Sequence, residues 1–107
     1  MFKTYDVIIV GAGPAGIFAA LELARQGGIR VLMIEKGRDI TGRTCPMHES
    51  EMPCARCALC GVLSGWGGAG AYSDGKLTLT SAFGGWLSEY IPQQALEAFI
   101  NEVDGIY

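Results

Sequence analysis

A chain of 107 residues is long enough to bury one modest hydrophobic core and too short for a second, so a single folding unit is expected. Half of the residues are hydrophobic and 18% are charged, which is a globular composition, and the formal charge of −3 with scattered Lys and Arg leaves no basic face for nucleic acid. No run approaches the ~20 consecutive apolar residues of a membrane span, and the first residues lack the apolar region and cleavage site of a secretory signal, so a cytoplasmic protein is expected.

Tyr5-Asp6-Val7-Ile8-Ile9-Val10 is nearly all apolar and rich in β-branched residues, the pattern of a parallel-sheet strand covered on both faces by helices. Pro14 suits a first helical turn, where its missing N–H has no partner to lose, and Ile17, Ala20, Leu21 and Ala24 follow at helical spacing to about Gln26. Gly27-Gly28 ends that helix and Val31-Leu32-Met33-Ile34 forms a second buried strand. From Gly37 to about Tyr72 the periodicity fades into a connection far longer than usual, as in loops that are functional or ordered by a cofactor. Lys76-Leu77-Thr78-Leu79-Thr80 alternates like a short half-exposed strand, and Gln93 to Val103, with Leu96, Phe99, Ile100 and Val103, reads as a helix. The chain thus divides into a βαβ unit at 1–36, a Cys- and Gly-rich loop at 37–75, and a short strand plus helix at 76–107, with no repeat or linker.

Gly11-Ala12-Gly13-Pro14-Ala15-Gly16 matches G-x-G-x-x-G, a common pattern that gains weight from its context. It follows a strand, opens a helix, and is answered by a carboxylate, Glu35, at the end of the second strand. Gly11 permits the tight turn, Gly13 lets backbone approach a pyrophosphate, and Gly16 lets helix and strand pack closely. Unpaired N–H groups and the helix dipole supply the positive field, so no lysine is required. Glu35 can accept hydrogen bonds from both ribose hydroxyls and would repel a 2′-phosphate, which disfavours NADP there, although Lys36 and Arg38 are cations close by.

Glycine fills 16 positions, about twice its usual share of roughly 7%. Many fall in Gly65-Trp66-Gly67-Gly68-Ala69-Gly70-Ala71-Tyr72-Ser73-Asp74-Gly75-Lys76-Leu77, where tiny residues let backbone lie against a flat ligand such as a flavin. Cys54, Cys57 and Cys60 form C-x2-C-x2-C, with Cys45 upstream. Four readings stand: iron–sulfur ligation, structural zinc on four thiols or three with His48, a redox dithiol at Cys54/Cys57 or Cys57/Cys60, and four reduced thiols without a ligand. Trp66 and Trp86 flank glycines and suit packing as well as stacking, and Asp74 beside Lys76 suits a solvated turn as well as proton transfer.

The fingerprint, Glu35-Lys36-Gly37, the cysteine cluster and Gly65 to Leu77, continued through Thr78-Leu79 and Phe83-Gly84-Gly85-Trp86, together resemble a family of bacterial-type FAD-dependent dehydrogenases in the two-dinucleotide-binding flavoprotein group. The resemblance spans nearly the whole chain and implies a Rossmann-like α/β fold with a parallel sheet, forming the N-terminal part of an FAD-binding domain in a larger oxidoreductase. It implies that Gly11, Ala12, Gly13, Pro14, Ala15 and Gly16 hold the FAD pyrophosphate, and that Glu35, beside Lys36, holds the adenosine ribose. It also implies that Gly67, Gly68 and Ala69, with Ser73, Asp74 and Lys76, line the pyrophosphate or isoalloxazine. Electrons would pass to or from NAD(P)H or a protein partner, and the substrate and catalytic residues are not implied. Members are several times longer, so the expectation is an N-terminal piece that is inactive alone. Two alternatives stand beside it: a non-catalytic NAD(H) sensor with zinc on the cysteines, and an isolated fragment that self-associates through its sheet edges.

Overall fold

The computed structural model describes residues 3–106, which fall into two compact units divided between Ser73 and Asp74. In the first unit, β1 (Val7–Val10) and β2 (Val31–Ile34) pair in parallel, Val7 opposite Val31 and Val10 opposite Ile34, and α1 (Pro14–Gln26) crosses between them. This is the expected Rossmann-like βαβ.

Both ends of the strand pair are fastened. At one end the Arg30 amide and guanidinium donate to the Asp6 carboxylate at 2.8 to 3.1 Å, while the Asp6 and Val7 amides donate to the Arg30 carbonyl. The Arg30 guanidinium holds the Asp6 carboxyl below its ordinary range, although the pair is exposed and contributes little to stability. At the other end the Gly11 amide donates to the Ile34 carbonyl at 2.7 Å, which leads the chain out of β1 into the glycine turn. Gly27 and Gly28 both take φ of +71°, a left-handed conformation that lets the chain leave α1 and re-enter the sheet.

Helix α1 packs on β1 and β2 through Gly16, Ile17, Ala20 and Leu23, which are half-buried, so the apolar stripe is rotated from the expected one and Leu21 and Ala24 lie exposed. Ile9 faces the helix, since a Cβ on Gly16 would stand 3.2 Å from its Cγ2. Alternation then turns Ile8, Val10 and Ile34 to the opposite face, where they are 59%, 83% and 48% exposed. Burial on both faces, expected from the apolar strands, is not reached because among the described residues the sheet has two strands and a helix on one side.

The second unit contains a short 3-10 turn at Leu87–Glu89 and α2 (Gln93–Asp104), which pack together. Leu96 is its buried anchor, Ile100 and Val103 are half-buried, and Phe99 is exposed. The expected strand at Lys76–Thr80 does not form: the alternation is there, but with no partner strand no ladder develops.

A Cβ on Gly16 would overlap the Gly11 carbonyl oxygen, so helix and turn meet there without room for a methyl group. Gly16→Ala is expected to destabilise the chain by about 1–3 kcal/mol, despite alanine's better helix propensity, because the overlap is with backbone. Urea denaturation checks this, and a variant as stable as the parent contradicts the packing.

Candidate dinucleotide site

The turn after β1 brings the first turn of α1 to the end of the sheet. Gly13 is the N-cap with φ −78° and ψ 179°, and the first helical bond runs from the Ile17 amide to the Gly13 carbonyl. The amides of Ala15 and Gly16 precede that bond and lie at the positive end of the helix dipole, the usual place for a phosphate. A Cβ on Gly13 would meet nothing within 4 Å, so this glycine leaves open space in front of the helix. Pro14 and Ala15 are exposed beside it, and Ala12 is fully buried.

Glu35 follows β2 and is turned onto the glycine turn. Its Oε2 accepts from the Ala12 amide and its Oε1 from the Gly37 amide, both at 2.8 Å. These backbone N–H groups, with smaller pulls from Lys36 and the Gly65 amide, hold the Glu35 carboxyl below its ordinary range. With three backbone amides on it, the carboxylate keeps lone-pair capacity for one further donor such as a ribose hydroxyl. Lys36 is exposed beside it.

The second glycine cluster folds directly onto this turn. The Gly67 amide donates to the Ala12 carbonyl at 2.8 Å, and a Cβ on Gly68 would stand 3.2 Å from Gly13 Cα and 3.3 Å from Pro14 Cδ. Gly68 also has φ +65°, a conformation that side chains rarely adopt, and a side chain there would press on the fingerprint turn. Gly65 packs against Gly37, and the Trp66 amide donates to the Arg38 carbonyl at 3.0 Å. Thus Gly67 and Gly68 join the fingerprint, while Ala69 opens an exposed 3-10 turn to Tyr72, with Ser73 after it. Asp74 and Lys76 belong to the second unit and form an exposed ion pair of 2.9 Å, in which Lys76 holds the Asp74 carboxyl below its ordinary range.

Sequence reasoning missed Arg43. Its side chain is buried at 3% exposure and donates to four loop carbonyls, those of Gly61, Val62, Trp66 and Gly68, at 2.5 to 2.8 Å. The Tyr72 ring lies 4.9 Å from the guanidinium carbon, and the Tyr72 hydroxyl donates to the Arg43 carbonyl. The long loop is ordered by this arginine. One Arg among glycines has no spacing signal, and the available hint was a run of backbone carbonyls lacking a strand or helix to satisfy them.

The cysteines do not gather. Cys45, Cys54, Cys57 and Cys60 are all free thiols, and among the described residues no three His, Cys, Asp or Glu side chains stand together as a metal site. Cys57 lines a cavity of about 360 Å³ with Arg38 and Ser64, and Cys45 lines another of about 310 Å³ with His48 and Tyr72. The iron–sulfur and zinc readings therefore find no ligand set. Arg56, at φ +49°, turns its amide onto Cys54 Sγ at 3.4 Å, which shapes the exposed C-x2-C turn.

Residues 5–56 match the family model described as pyridine nucleotide-disulphide oxidoreductase. The chain is 46% identical over 71 residues to an uncharacterized protein of Clostridium beijerinckii, covering 66% of this chain and 13% of that one. It is 49% identical over 45 residues to dihydrolipoyl dehydrogenase 3 of Pseudomonas aeruginosa, covering 42% and 9%. It is 55% identical over 40 residues to digeranylgeranylglycerophospholipid reductase of Methanocella arvoryzae, covering 37% and 10%. No solved structure matches. The chain therefore spans a small fraction of the length of the relatives it matches. The βαβ unit is Rossmann-like, and in sequence it is similar to the FAD/NAD-binding units of oxidoreductases.

Because the folded Glu35 carboxyl titrates below 4.5, its share of stability is complete above about pH 4.5 and is lost as pH falls through the lower folded value. Glu35→Gln is expected to make the loss of stability between pH 5 and pH 3 shallower, and parallel curves in pH-resolved thermal melts would rule out this coupling. Treatment with a chelator is expected to leave the melting temperature unchanged, and a fall would restore a metal to the cysteines.

Proposed function

We propose that this chain is the FAD-binding segment of an FAD-dependent oxidoreductase of the two-dinucleotide-binding kind, its electrons exchanged with NAD(P)H or a protein partner. The observation that carries it is the open space at Gly13, set before the helix N-terminus and walled by the second glycine cluster at Gly68. That cradle is backbone throughout, as a diphosphate needs. The resemblance to FAD-dependent dehydrogenases supports FAD over NAD(H), and so does the docking of Gly67 and Gly68, its most specific element, on the fingerprint.

The amides of Ala15 and Gly16 would hold the diphosphate and Glu35 the adenosine ribose. When bound, FAD supplies a ring that exchanges electrons singly or in pairs. The chain's own residues bind and orient: Glu35 fixes the turn by accepting two amides, and Gly67 fixes it from the other side. The NAD(H) sensor with zinc has the same turn available but no gathered thiols to hold its metal.

Gly13→Ala separates cofactor binding from folding. The conformation of Gly13 suits any residue and its Cβ would meet no protein atom, so stability is expected to stay within about 1 kcal/mol of the parent. The methyl group would instead enter the diphosphate space, and FAD affinity is expected to fall roughly tenfold or more, a loss of about 1.4 kcal/mol. Flavin fluorescence titration and a thermal melt check both. A parent chain that takes NADH but refuses FAD overturns the proposal, as does a Gly13→Ala variant that binds FAD unchanged.

A further inference from the structure

A guanidinium removed from water must find partners for its fork of N–H donors, and Arg43 finds them in backbone carbonyls rather than a carboxylate. Its Nε donates to Gly61 and its Nη2 to Val62, on one stretch of the loop. Its Nη1 donates to both Trp66 and Gly68, on a second stretch, at 2.7 Å each. Gly67 lies between those two carbonyls, and its amide is the one bonded to Ala12. Gly68 is the residue whose backbone stands against Gly13 and Pro14. The fork therefore grips the loop on both sides of the residue that latches onto the fingerprint, and Tyr72 closes over the outer face of the grip.

We infer that Arg43 is the positioning residue of the FAD site: it holds Gly67 and Gly68 against Ala12 and Gly13, and so sets the wall of the diphosphate cradle. This inference rests on the FAD reading above and adds a residue that acts through the loop. Charge alone is not sufficient; the forked geometry of the donors is also required. Lysine carries the same charge on a single nitrogen with three donors and lacks the planar fork that serves four carbonyls from three nitrogens, so it is expected to hold fewer of them.

The test compares the parent chain with Arg43→Lys by FAD titration and by amide hydrogen exchange at Gly67 and Gly11. The Gly67 amide reports the loop latch, and the Gly11 amide, bonded to Ile34, reports the strand pair. In Arg43→Lys, exchange at Gly67 is expected to rise about tenfold with Gly11 unchanged, and FAD affinity to fall about tenfold. Equal acceleration at both amides would mean a general structural role, and a freed Gly67 with FAD affinity intact would mean that the loop does not serve the cofactor; either overturns the inference. Should Arg43→Lys not fold, Tyr72→Phe removes the hydroxyl that holds the Arg43 carbonyl. The same selective change at Gly67 and FAD, at roughly threefold, is then expected, and no change in either overturns it. A parent chain that binds no FAD condemns the cofactor reading and the inference with it, whereas failure of the inference alone leaves parent binding intact.

Discussion

The buried guanidinium of Arg43 is the constraint on which the first unit's irregular half depends. Residues 61–72 have little apolar material to bury, and Leu63, Trp66 and Tyr72 remain substantially exposed. Without a core, a loop of that length would ordinarily leave its carbonyls to water and stay mobile. One arginine replaces the core by collecting four carbonyls, and its own desolvation is tolerable because every bond it makes is charge-assisted. The order of the loop and the burial of the charge are thus one fact.

Glu35 does the converse. It accepts backbone amides, from Ala12 and Gly37, where Arg43 donates to backbone carbonyls. Ala12 links the two systems, with its amide on Glu35 and its carbonyl on the Gly67 amide. A dinucleotide site must present bare backbone to a diphosphate, and bare backbone has few side chains with which to hold its shape. The two charged residues supply that hold from outside the cradle, leaving Gly13 and the first turn of α1 free to face a ligand.

Among the described residues the sheet is covered on one side only. Ile9 packs toward α1 and Gly16, while Ile8, Val10 and Ile34 form an uncovered apolar face. Parallel strands are ordinarily buried on both faces, which is why their sequences are continuously apolar.

The sequence by itself determined the βαβ unit, because short-range periodicity and glycine and proline punctuation act within a few residues of where they stand. Val7–Val10, Pro14–Gln26 and Val31–Ile34 form as expected, Gly16 packs against the Gly11 carbonyl, and Glu35 accepts from the Ala12 amide within the glycine turn. Helix α2 was legible for the same reason. Only the tertiary structure decided the rest, since each remaining feature depends on what lies far along the chain. Lys76–Thr80 has a strand's alternation but no partner, and the cysteines have a ligand's spacing but separate surroundings. Gly67 and Gly68 meet Ala12 and Gly13 across more than fifty residues, and Arg43 became central because a loop with no core closed around its side chain.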